Sequence, residues 1–482
     1  MSAQPRRTHA LPNAPEEPAS PAAAPPSRDA GVWALPERPL WKTFVVFLGP
    51  LLLSNVLQSL SGTVNNIYLG QMIGVKALAA VSAFFPLMFL FVAFVIGLGA
   101  GASVLIGQAW GARRADAVRE VAGSTLTLGV LLALTVAVLG SVFAQPLLRA
   151  LGTPADILPD AARVARILLA AMPGMYVFLL YTSMLRGVGD TVAPLYSLMI
   201  STTAGLLLTP AFIRGWLGLP MLGVTSAAWA TVVSLVLSML WLAWHLRRKN
   251  SPLKPDREFL LHMRMKAHLI KSVLRVGVPT GLQMILVSSA ELALLSIINS
   301  YGSNATAAYG AVNQVVNYVQ FPAISISITA SILGAHAIGA GHTGRLGAIL
   351  RTAMLMNLLL TGTLAALGYV FSHQLIGLFI TSAPVMELAQ TRLHIVLWSL
   401  VIFGMYSVLA GIMRASGTVW TPTLITIGCL ALIELPTAWI ASRYLGLSGV
   451  WVAYPTAYIS ILLLQWTYYR TVWRKRAIKP MV

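Results

Sequence analysis

Leu185-Arg-Gly-Val-Gly-Asp-Thr-Val-Ala-Pro194 returns 228 residues later as Met413-Arg-Ala-Ser-Gly-Thr-Val-Trp-Thr-Pro422. Arg186, Gly189 and Pro194 fall on Arg414, Gly417 and Pro422. The same offset of 228 sets Gly74, Ala77, Ala79 and Ala80 on Gly302, Ala305, Ala307 and Ala308. It also sets Ala102, Ser103, Ala109, Gly111 and Ala112 on Ala330, Ser331, Ala337, Gly339 and Ala340. Three separate blocks at one spacing mark a duplicated chain.

The segments around these blocks are apolar and long enough to cross a bilayer, which takes about 20 residues each. Of 482 residues, 57% are hydrophobic and 10% charged, against roughly 25% charged in a soluble domain. A soluble fold could not cover its surface with so few charges, so lipid is the solvent. The pattern predicts spans over 43–69, 78–108, 121–146, 161–184, 193–215 and 222–246. After a basic linker it predicts 273–300, 306–337, 348–372, 388–412, 421–442 and 447–469. Each half therefore has six spans, an even number, so both halves enter the membrane in the same orientation. The expected fold is an all-α polytopic membrane protein, with twelve transmembrane helices in two six-helix bundles related by a pseudo-twofold axis along the membrane normal.

The expected layout has a disordered tail over 1–40 and a first bundle over 41–246. A basic linker over 247–272 precedes the second bundle, 273–470, and a basic tail follows over 471–482. The opening residues are rich in Pro, Ala and Ser and lack the apolar core of a signal peptide, so the first span has to direct insertion. The linker stretch Phe259-Leu-Leu-His-Met-Arg-Met-Lys-Ala-His-Leu-Ile is amphipathic and suits a membrane interface.

A net charge of +19 invites a nucleic-acid reading. Its distribution argues otherwise. With both termini cytoplasmic, 26 of the 33 Lys and Arg fall on the inner side and 7, including Arg392, on the outer. That is the positive-inside bias of an inserted protein, with the cations meeting anionic lipid and no nucleic acid implied. The one cysteine, Cys429, lies in an apolar segment and can form neither a disulfide within the chain nor a cysteine cluster. His336 and His342 fall near a span end without metal-ligand partners and are expected to be solvated. No phosphate-binding Gly-x-x-x-x-Gly-Lys-Ser/Thr motif and no catalytic signature occurs. The expected protein is not an enzyme, carries no cofactor and draws no ATP drive from this chain. Two bundles about a central cleft suit alternating access powered by an ion gradient.

Fourteen acids make a census possible. Twelve lie in the tail or in loops, and two, Glu291 and Glu434, lie inside apolar spans. An ionisable residue within a span marks, by default, an ion or substrate path, so Glu291 and Glu434 are the candidate ion-coupling pair. Polar stripes accompany them. Asn55, Gln58, Gly62 and Asn65 share one face of the first span, and Asn313, Asn317 and Gln320 one face of the eighth. Thr280, Met284, Ser288 and Glu291 do so in the seventh. Gln58, Asn65, Gln283, Ser288, Asn313, Asn317, Gln320, Tyr318 and Tyr406 are the candidate cleft residues. The two tyrosines offer rings on which a cation could stack. The competing reading is hydrogen bonding between helices, common in membranes.

Residues 41–470 resemble the MATE family of multidrug and toxic compound exporters. The blocks that carry the resemblance are Tyr68-Leu-Gly-Gln-Met-Ile-Gly-Val-Lys-Ala-Leu-Ala-Ala-Val-Ser, Gly107-Gln-Ala-Trp-Gly-Ala-Arg and Leu185-Arg-Gly-Val-Gly-Asp-Thr-Val-Ala-Pro, with their second-half counterparts. The resemblance implies a monomer in a bacterial inner membrane that exports small, often cationic, organic molecules against H⁺ or Na⁺. A related flippase of lipid-linked saccharides is the alternative. The chain departs from the family where many bacterial members carry acids. Asn65 stands in the place of a first-span Asp, and Gly205 and Thr209 in the places of a fifth-span Asn and Asp. Glu291 lies about one turn from the seventh-span Glu of the Na⁺-coupled branch. Coupling is therefore expected to run through the second bundle.

Overall fold

The computed structural model describes residues 39–380 and 382–482, so residues 1–38 of the tail expected over 1–40 lie outside the described residues. Within them the structure is helical, and ten helices or helix pairs are long and apolar enough to cross a membrane. Two further spans are bent. Leu158–Ala170 and Met172–Gly187 meet at 50°, and Ala383–Val396 and Ser399–Ala415 at 43°. The first bend is followed at once by Pro173, whose ring and missing N–H break the helical ladder. Counting each bent pair once gives the twelve spans, a multi-pass membrane protein of two six-helix halves.

Observed and expected spans agree closely. The first runs Leu40–Ile73, the seventh Ala267–Asn299, the eighth Ser303–Gly339 and the twelfth Leu447–Lys475. The duplication also explains its own glycines. Gly74 and Gly302 have φ of 120° and 96°, Gly189 and Gly417 of 88° and 77°. These left-handed turns favour glycine and recur at the same place in each half.

One apolar core fills the first half, from Ala80 to Val273, and another fills the second, from Leu294 to Ile461. A third, containing Phe44, Val104, Val276, Leu333 and Ile412, joins the two. The second and seventh spans approach backbone to backbone. A Cβ on Gly97 would strike the carbonyl of Gly277, and one on Gly101 the carbonyl of Val273. Small residues at such crossings let membrane helices pack without lipid between them.

The linker is shorter than expected, because the seventh span already begins at Ala267. Asp256 caps the short helix Arg257–Leu261, its Oδ1 accepting from Phe259 N at 2.8 Å. Phe259 is buried 6.1 Å from the ring of Tyr181. Arg119–Glu258 (2.6 Å) and Lys266–Glu120 (2.7 Å) ion pairs fasten the linker to the third span. Leu260, Leu261 and Met265 remain exposed, as an interfacial segment requires.

Candidate functional site: an asymmetric pair of lobes

At the linker end the halves hold each other reciprocally. Gln108 Nε2 donates to Ala415 O at 2.8 Å, and His336 Nε2 to Gly187 O at 2.7 Å. Gln108 and His336 are equivalents in the repeat, as are Gly187 and Ala415. A Cβ on Gly111 would meet His336 O, and one on its equivalent Gly339 would meet Gln108 O. His336 is thus buried and not solvated as expected, because the crossing of the second and eighth spans encloses its ring. His342 is exposed. Met481 N also donates to Gln108 Oε1 at 2.7 Å. The first span touches the eighth through Asn55 Nδ2 and Ser325 Oγ, 3.1 Å apart.

Farther from the linker, Gln58, Asn317 and Glu291 are exposed and Ser288 and Gln320 half-buried. These are the residues expected to face a cleft. Gln283 is half-buried, its Oε1 accepting from Thr423 Oγ1 at 3.2 Å. Tyr318 sits elsewhere, with Val315, Leu364, Leu367 and Phe371 in an apolar groove of about 370 Å³.

Inside the first half the polar site is neutral. Thr209 Oγ1 donates to Asn65 Oδ1 at 3.1 Å and to Gly205 O at 2.8 Å. The positions singled out for lacking acids therefore meet in space and pair with each other.

The second half is charged. Glu434 is 2% exposed, and its Oε2 has no hydrogen-bond partner among the described residues. It ends a π-helical turn, Leu430–Glu434, just before Pro436. Such single wide turns recur at functional sites, and here the turn accommodates a proline that cannot donate to the ladder. Glu291 and Glu434 act on each other electrostatically, and both act on Tyr406, Tyr454 and Tyr458. Tyr406 is buried, with its ring 5.9 Å from Tyr458 and 5.3 Å from Phe403.

Arg392 joins this cluster, although its charge was assigned to the outer side. It is 1% exposed. Its Nη2 donates to Asn313 Oδ1 at 2.7 Å and its Nη1 to Tyr309 O. The guanidinium lies 4.0 Å from the ring centre of Tyr309, 4.9 Å from Trp451 and 5.9 Å from Tyr454. Glu291 and Arg392 also interact electrostatically, yet no ion pair joins them among the described residues. Instead of facing solvent at a span end, Arg392 is enclosed because Ala383–Val396 packs it between the eighth and twelfth spans.

The MatE family model matches twice, over residues 50–211 and 279–440, one match in each half. The chain belongs to the MatE family. Curated proteins similar to it carry multidrug resistance and export names. The probable multidrug resistance protein YoeA of Bacillus subtilis is 45% identical over 92% of this chain and 96% of its own length. The probable multidrug resistance protein NorM of Thermotoga maritima is 25% identical over 89% of this chain and 92% of its own. Among solved structures, a mutant of the Vibrio cholerae MATE transporter VcmN superposes with a TM-score of 0.84 at 21% identity, covering 91% of this chain and 98% of that one. An outward-facing MATE family transporter gives 0.83 at 23%, covering 93% and 98%. These likenesses are of fold.

Proposed function

We propose that this MatE transporter is a secondary antiporter that exports organic, mainly cationic compounds against H⁺ or Na⁺. The reading places it in a bacterial inner membrane with linker and termini in the cytoplasm, following the positive-inside bias. The reciprocal contacts at the linker end then close the cytoplasmic side and leave the cleft facing outward. Gln58, Ser288, Asn317 and Gln320 line that cleft as adaptable hydrogen-bonding partners for varied substrates.

Glu434 carries the reading. A carboxyl group almost wholly buried, with an unpartnered oxygen, is costly unless it binds and releases something. Glu291, at the exposed mouth of the same lobe, gives the ion a way in. Binding an ion there while the cleft faces one side, and releasing it when it faces the other, ties the lobe's charge to the rocking of the halves.

The test is efflux of a fluorescent organic cation from proteoliposomes under an imposed ΔpH or ΔpNa, with wild type beside Glu291→Gln and Glu434→Gln. Efflux driven by one gradient and lost in either variant is expected. Efflux that survives both substitutions moves coupling away from this lobe. No gradient-driven efflux by the wild type returns a flippase of lipid-linked saccharides to the front.

A further inference from the structure

Arg392 makes the second lobe different from an open carboxylate pocket. A guanidinium keeps its charge in proteins, so burial places a fixed cation in the field of Glu291, which in turn acts on Glu434. It also takes up what a visiting metal cation needs. An alkali ion entering such a pocket must exchange its water shell for several protein oxygens. The amide oxygen of Asn313 and the carbonyl of Tyr309 already accept from Arg392. The aromatic faces of Tyr309, Trp451 and Tyr454 are stacked on it as well. A proton needs far less, a single carboxylate lone pair such as the one on Glu434 Oε2.

We infer that Arg392 is a built-in cation that excludes Na⁺ from this lobe and makes the proton the coupling ion. The inference rests on the antiport reading above and chooses between its two ions. The charged and titratable groups facing the cluster are Glu291 from the seventh span, Tyr309 from the eighth, and Arg392 and Tyr406 from the tenth. The eleventh span adds Glu434 and Cys429, and the twelfth Tyr454 and Tyr458. With both carboxylates ionised and Arg392 charged, one negative charge remains, and one proton removes it. Arg392 acts on the ion through charge and occupied ligands, so it sets specificity without itself binding the ion.

The experiment pairs transport with a readout that does not need transport. Purified wild type, Arg392→Met and Arg392→Lys are melted in detergent at constant ionic strength, with NaCl exchanged for choline chloride. The wild type and Arg392→Lys, which retain the charge, are expected to show no Na⁺-specific shift. Arg392→Met, with two uncompensated carboxylates, is expected to gain about 3 °C or more in about 0.3 M NaCl through ligand linkage. In proteoliposomes the wild type is expected to respond to ΔpH and not to ΔpNa at symmetric pH. Stabilisation of the wild type by Na⁺, or efflux driven by ΔpNa alone, overturns the inference. A folded Arg392→Met that ignores Na⁺ overturns it equally. If Arg392→Met does not fold, the two wild-type measurements still decide. Failure of both gradients with the Na⁺ shifts as expected would strike the antiport reading and leave the assignment of Arg392 standing.

Discussion

The two halves share a backbone and differ in what they bury. In the first, Asn65 and Thr209 satisfy each other, a neutral pair with no charge to move. In the second, Glu434 buries a carboxylate oxygen without a partner, and Arg392 is buried against the rings of Tyr309 and Trp451. At the offset of the repeat, the positions of Glu291, Glu434 and Arg392 are Thr63, Leu206 and Val164 in the first half. None of the charged set was kept or acquired there. The duplication thus preserved what packs, the glycine turns and crossing points, while the chemistry settled in one copy. On the proposed antiport reading, the rocking needs two equal bodies, while a single charged site suffices to drive it.

Substitution of the charged set should break that asymmetry most severely. Glu434→Gln is expected to reduce gradient-driven efflux by about tenfold or more, since it removes the intramembrane charge to which the proposed function assigns coupling. Thr209→Ala, in the other lobe, is expected to leave it within about twofold, because the lost bond is one of the ordinary contacts between membrane helices. Equal losses in both lobes, measured on proteoliposomes with matched protein content, would mean that coupling is shared.

Much of this contrast was legible in the chain. The offset blocks gave two six-span halves, and the census of acids isolated Glu291 and Glu434, because carboxylates in apolar runs stand out without any structure. Arg392 did not stand out. A cation near the start of a span reads as an interface residue, and Thr391, Leu393 and His394 beside it carry no contrary sign. Its partners, Tyr309, Asn313, Trp451 and Tyr454, are 59 or more residues away in the chain, so only the packing of three helices joins them. The same holds for Gln108 and His336. Their equivalence is visible in the repeat, but the reciprocal bonds need the halves docked.

Where the halves agree, equivalent substitutions should cost alike. Gly111→Val and Gly339→Val each drive a side chain into the backbone of the opposite half. Each is expected to destabilise by about 1–3 kcal/mol, the usual cost of overpacking, seen as a lower melting temperature in detergent. A large difference between them would show that the contact is less symmetric than its geometry. A finer comparison uses the hydrogen bonds beside them. Gln108→Ala and His336→Ala each leave one buried carbonyl without its donor, at about 1–3 kcal/mol. Gln108→Ala should cost more, because the Met481 N–H loses its acceptor as well. Equal losses would show that the residue 481 contact adds nothing.

The smallest effect belongs to the linker, which has no counterpart to compare within the repeat. Asp256 accepts from Phe259 N at 2.8 Å, and this bond, ahead of the charges of Lys254 and Arg119, holds its carboxyl below the ordinary value of 3.8. A carboxyl so depressed stabilises the folded linker above its unfolded pKa, and the contribution is lost as pH falls through the folded value. The linker should therefore stay docked on the third span at neutral pH and loosen only below about pH 4. Asp256→Ala should loosen it at all pH values, by about 1 kcal/mol as for other lost helix caps. Hydrogen exchange of residues 257–266 at pH 7 is the measurement. Faster exchange confined to the linker is expected, since Phe259 and the two ion pairs still anchor it. Faster exchange spreading into the third span would show that the cap supports the first bundle itself.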